Sequence, residues 1–196
     1  VNSGHVSHSS LALADHDSYV ILLGTTAFFF FMRALTVAND RKWVSNWSYW
    51  PEIKKGISSF VATERLAFGY AGLSGITITM IALSWKGFPY IMGIIAIYLG
   101  FQMLINAFRR VDSLTTASVG LVTMAMPVLL SYPYYHTMGF VGTWWEAPAY
   151  ILLGYVMLSV LMVTTREQPW LLGIGSSVGM AAAIYLLLTY VFKELG

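Results

Sequence analysis

Long apolar runs separated by short polar breaks dominate the chain. Six runs are long enough to cross a bilayer, at about 19–37, 60–85, 89–108, 114–132, 147–165 and 169–192. A helix rises about 1.5 Å per residue, so about 20 apolar residues span roughly 30 Å of hydrocarbon. Pro89, Pro148 and Pro169 each stand at the start of a run, where a missing N–H leaves no helical bond unmade. Pro127 falls inside the fourth run and predicts a kink. Gly69, Gly72 and Gly75 in the second run, and Gly173, Gly175 and Gly179 in the sixth, predict faces for close helix packing. Heptads, low-complexity tracts and internal repeats are absent from the sequence. The pattern predicts an all-α membrane protein with six transmembrane helices over 19–196, preceded by a polar segment, 1–18.

Composition agrees with a lipid solvent. Hydrophobic residues make up 57% of the 196 and charged residues only 10%, against about 25% charge in soluble domains. The net charge of +2 is too small for a nucleic-acid footprint. The lack of Cys excludes disulfides, thiolate metal sites and Cys nucleophiles. The chain opens on Val and closes on KELG just after an apolar run. The expectation is a piece of a larger membrane protein.

The distribution of charge adds a direction. Arg33, Arg41, Lys42, Lys54, Lys55, Arg65, Arg109, Arg110 and Arg166 fall on one set of connections, and only Lys86 and Lys193 on the other. The positive-inside rule assigns the nine to the cytoplasm. Segments 1–18, 85–88 and 133–146 and the C-terminus then face outward, in an integral protein of the plasma membrane.

This orientation draws attention to Asp15, His16 and Asp17, at the outer edge of the first run. An Asp-x-Asp pair can cap a helix, accepting orphan N–H bonds and suiting the dipole. It can equally supply hard oxygen ligands to Mg2+ or Mn2+, and His suits Mn2+ as well. Two carboxylates do not close a coordination shell, so further ligands would come from elsewhere. His5 and His8 precede the motif, either as solvated loop residues or as contacts for an anionic substrate. His136 lies in the aromatic-rich stretch SYPYYHTMGFVGTWWE, which reads as an interfacial belt. The basic, Trp-rich stretch RKWVSNWSYWPEIKK reads as an amphipathic segment on the inner leaflet. It contains the formal sequon Asn46-Trp47-Ser48, unmodified on that side. Nucleophile motifs, a P-loop and HExxH are missing from the sequence. Few charges fall mid-span, where each would cost about 2.5–3.5 kcal/mol on insertion scales. That favours surface chemistry over ion transport.

The stretch SHSSLALADHDSYVILLGTTAFFFFMRAL resembles the region of the second acidic motif in oligosaccharyltransferase catalytic subunits. That family has a Ser-Arg-Ser stretch on an outer loop, then an Asp-centred triplet seven residues after the Arg, then a span ending near Arg-Ala. Archaeal members often carry Ala-Asp-His-His, which Ala14-Asp15-His16-Asp17 resembles. ALSWKGFPYIMGIIAIYLGFQMLI is similar to the family's Trp-Gly-Gly-Tyr turn and following helix. Segment 108–113 and Pro133-Tyr134-Tyr135 also fit. The likeness is densest over 5–110 and rests on span order beyond.

The resemblance implies a central transmembrane fragment of a GT-C type glycosyltransferase. Such enzymes transfer an oligosaccharide from a polyprenyl (dolichyl) phosphate or diphosphate carrier to Asn of Asn-x-Ser/Thr sequons. It implies a Mg2+ or Mn2+ ion held by Asp15 and Asp17, with His16 as a secondary candidate. The partners implied are a lipid-linked oligosaccharide, an acceptor polypeptide and membrane lipid, without nucleic acid. His8 replaces the family's Arg, and Lys86 replaces the first Gly of the turn, so both are candidate substrate contacts. Lys86 reads as well as a solvated lysine. The first acidic motif, the outer-loop Glu region and the Trp-Trp-Asp motif have no counterparts here, and Trp144-Trp145-Glu146 is assigned to the aromatic belt. The fragment alone is therefore expected to be inactive. The alternatives are another polyprenyl-phosphate-dependent glycosyltransferase, such as a protein O-mannosyltransferase type, and a small transporter or scaffold.

Overall fold

The computed structural model describes residues 16–39, 42–44 and 49–165, together with Gly175 and Gly179; for His16 and Asp17 it describes the backbone only. Its elements are α1 (His16–Val37), α2 (Trp50–Thr63), α3 (Arg65–Ser84), α4 (Phe88–Arg109), α5 (Leu114–Thr137), a π-helical turn (Val141–Trp145) and α6 (Glu146–Thr164). Strands are absent among the described residues. Five of these segments are long and apolar enough to cross a membrane, α6 counted together with the π turn. The sixth apolar run, 169–192, lies outside the described residues.

Two boundaries differ from the sequence pattern. The second run does not form one helix from residue 60. A single non-helical residue, Glu64, separates α2 from α3, so the span begins at Arg65. The backbone still bridges the joint, since Glu64 N–H donates to Phe60 O at 2.9 Å and Phe68 N–H to Glu64 O at 3.0 Å. The fourth run also continues past residue 132, through Pro133 to Thr137. Most of the expected outer loop 133–146 is thus helical. Past Pro133 the Thr137 hydroxyl donates back to the Pro133 carbonyl at 2.8 Å.

The helices form a bundle in which α3 packs between α1 and α5, while α4 and α6 pack on each other and on α5. Ala27, Phe31 and Ala34 recur at helical spacing on α1 and are buried with Ala67, Ala71 and Ile78 of α3. Small residues allow close approach. A Cβ on Gly75 would lie 2.8 Å from Met126 Cβ and 3.0 Å from the Thr123 carbonyl oxygen. That carbonyl has no helical donor, because the residue four further on is Pro127. Of the expected glycine face, Gly72 and Gly75 meet α5, whereas Gly69 meets nothing within 4 Å.

Polar side chains add rungs between spans. Ser74 donates to Ala27 O at 2.8 Å, Tyr135 to Ala82 O at 2.8 Å, and Tyr155 to Ala117 O at 2.9 Å. Each links one span to the backbone of another, where water is absent to compete.

Helix α4 ends with Arg110 in the left-handed region (φ 56°). Val111 N–H then bonds back to Asn106 O at 2.9 Å, the six-to-one closure of a Schellman motif. Asp112 starts the next helix by accepting the Leu114 N–H at 2.9 Å.

Candidate functional site

Antiparallel helices give the bundle two chemically different ends. The start of α1, the α3–α4 turn and the π turn lie at one of them. The contact that fixes this is Gly24, whose added Cβ would lie 3.9 Å from Ile91 near the start of α4. Residues 42–44, α2 and the α4–α5 turn lie at the other end.

The first end carries the sequence-predicted candidates. The backbone of His16 and Asp17 is helical, in the first turn described for α1. Their side chains, and all of His5, His8 and Asp15, lie outside the described residues. Lys86, in the α3–α4 turn, is exposed but not simply solvated. Its Nζ stands 4.7 Å from the centroid of the Phe140 ring and 5.1 Å from that of Trp144. The quadrupoles of both rings attract the ammonium and hold it over the π turn. Lys86 keeps its solvent access, as a solvated lysine does, and gains these two ring contacts.

The aromatic belt at this end is ordered by specific contacts. Trp145 donates its Nε1–H to Val128 O at 2.8 Å and meets the Tyr132 ring edge-on at 4.9 Å. Tyr132 also lies 5.6 Å from the exposed His136 ring. Trp145 therefore acts as local scaffolding, with Trp144 facing Lys86. Among the described residues, no three His, Cys, Asp or Glu side chains form a group able to hold a metal ion.

The opposite end holds a buried polar network centred on Glu64, which the sequence pattern did not single out. Glu64 is only 2% exposed. Its carboxylate accepts Asn39 Nδ2–H at 2.7 Å on one oxygen and the Asn39 backbone N–H at 3.3 Å on the other. Asn39 O accepts the Thr115 hydroxyl at 3.0 Å, and Thr115 Oγ1 accepts Trp43 Nε1–H at 3.2 Å. Trp43 is thus buried in a small core with Val44 and Phe60, not spread on a leaflet. The one available signal was an acid at the edge of an apolar run with no basic neighbour four residues away. Its donors and acceptors pair internally, so the network clamps the connection after α1 to α3 and α5. A reactive group is not presented there.

Protein-family models, curated proteins and solved structures were all compared with the chain, and none matches it.

Proposed function

We propose that the chain is the central membrane part of an archaeal-type oligosaccharyltransferase catalytic subunit. On this reading it carries six spans of a GT-C type transmembrane domain, the sixth being 169–192. The acidic triplet faces outward from the plasma membrane. One observation carries the proposal. Helix α1, whose first turn holds the backbone of His16 and Asp17, starts at the same bundle end as the Trp85-Lys86-Gly87-Phe88 turn.

Asp15 and Asp17 would hold the metal, and their oxygen donors suit Mg2+ or Mn2+. Bound there, the ion compensates carrier phosphate charge and orients the acceptor amide. Lys86, positioned by its two rings, adds a fixed positive charge facing the lipid carrier's phosphate. His8 is a second contact for the same anion. Residues that complete the coordination shell belong to other parts of the protein.

The test uses the full-length protein, a lipid-linked oligosaccharide and a fluorescent sequon peptide, with Mn2+ and Mg2+ titrated after chelation. Asp15→Ala and Asp17→Ala are each expected to abolish transfer or to raise the metal requirement at least tenfold. If both variants keep wild-type transfer and metal dependence, the two carboxylates only cap a helix and the enzyme reading fails.

A further inference from the structure

Helix α2 has two apolar faces, and the described residues cover only one. Gly56 and Phe60 are buried on the covered face. An added Cβ on Gly56 would lie 2.5 Å from Trp43 O, so segment 42–44 lies directly against it. The other face is open. Trp50 is 73% exposed, Val61 51% and Ile57 42%. These three side chains line a groove of about 610 Å³ together with Lys54, Ser58 and Arg65.

The charge beside this stripe has one sign. At about 100° per residue, Trp50, Lys54, Ile57 and Val61 share one sector of the helix. Glu52, the acid of α2, falls about 200° from Lys54, on the far side. Arg65 stands just past the Glu64 joint, at the start of a membrane-length helix. The groove therefore sits where a span enters the bilayer, at the level of the lipid headgroups. Its apolar floor is rimmed by a lysine and an arginine.

We propose that this groove binds anionic phospholipid. Lys54 and Arg65 take headgroup phosphates at its two ends, and the upper methylenes of the acyl chains cover Trp50, Ile57 and Val61. Charge complementarity selects the lipid. A zwitterionic lipid satisfies the apolar floor but adds a cation beside two cations. The inference depends on the chain spanning a membrane and is independent of the glycan-transfer reading.

The test is native mass spectrometry of the full-length protein in detergent, titrated with phosphatidylglycerol or phosphatidylcholine. The wild type is expected to prefer phosphatidylglycerol at least tenfold. Lys54→Gln with Arg65→Gln should weaken phosphatidylglycerol binding roughly 30-fold and leave phosphatidylcholine unchanged. The control pair, Arg109→Gln with Arg110→Gln, removes equal charge from the same bundle end but off the groove, and should change binding less than about threefold. The proposal is overturned if the wild type binds both lipids alike, if the groove pair binds like wild type, or if the control pair loses as much as the groove pair. All four side chains are exposed, so unchanged melting temperatures are expected to accompany these readings.

Discussion

Replacing Glu64 by Gln probes the buried network with a change of one atom. The carboxylate offers an acceptor to each of two Asn39 donors, at 2.7 and 3.3 Å. A glutamine offers one oxygen and one NH2. With the glutamine oxygen on the Asn39 backbone N–H, a turned Asn39 amide can accept the glutamine NH2 through its own oxygen, so two charge-assisted bonds become two neutral ones. Losing that charge assistance costs about 1 kcal/mol, and that loss is expected in reversible unfolding in mixed micelles. Asn39→Ala removes the side-chain donor but keeps the backbone one. A double-mutant cycle between the two positions should give a coupling of about 0.5–3 kcal/mol. Lipid binding and any transferase activity provide independent readouts. An E64Q protein within about 0.3 kcal/mol of wild type, or a cycle with no coupling, would refute the claim that this pair clamps the joint.

Two further expectations concern packing and the aromatic end. Gly120→Ala drives a Cβ into the Tyr155 hydroxyl and Leu99, lying 2.7 Å from Tyr155 Cζ; it should cost about 1–3 kcal/mol, whereas Gly93→Ala, with nothing within 4 Å, should be neutral or slightly stabilising by denaturant titration. Lys86→Gln removes the ring-held cation and should cost about 0.5–1 kcal/mol, while Lys86→Arg keeps it; equal stability of all three proteins would show that the ring contacts contribute nothing.

The sequence made the spans legible because the bilayer demands about 20 apolar residues in a row, whatever packs against them. It could not show where α3 begins. Residues 60–63 are as compatible with a span as with the end of a surface helix, and the deciding contact, Asn39 to Glu64, crosses 25 positions. Trp43 illustrates the same limit. A Trp among basic residues reads as an interfacial anchor until a buried hydroxyl, Thr115, supplies a partner for its N–H. The two rings beside Lys86 lie more than fifty residues downstream, out of reach of a local pattern. Periodicity and composition report on a segment's solvent, while these features depend on tertiary neighbours. For the acidic triplet, the structure adds the bundle end at which the helix beginning at His16 starts.

The order in which the helices touch has a consequence for biogenesis. Helix α1 finds its main partner in α3, and α3 finds another in α5, whereas the consecutive pair α3 and α4 share little surface. A nascent chain leaving the translocon can therefore pair its first two spans, α1 and α3, as they emerge, but the next span, α4, adds little to that pair. With α4 inserted but α5 still in the ribosome, the buried flank of α3 formed by Gly75 and Thr79 faces lipid. Chains arrested at that length should be exposed to quality-control proteases, and protection should arrive in a single step when Thr123 and Tyr135 reach the membrane.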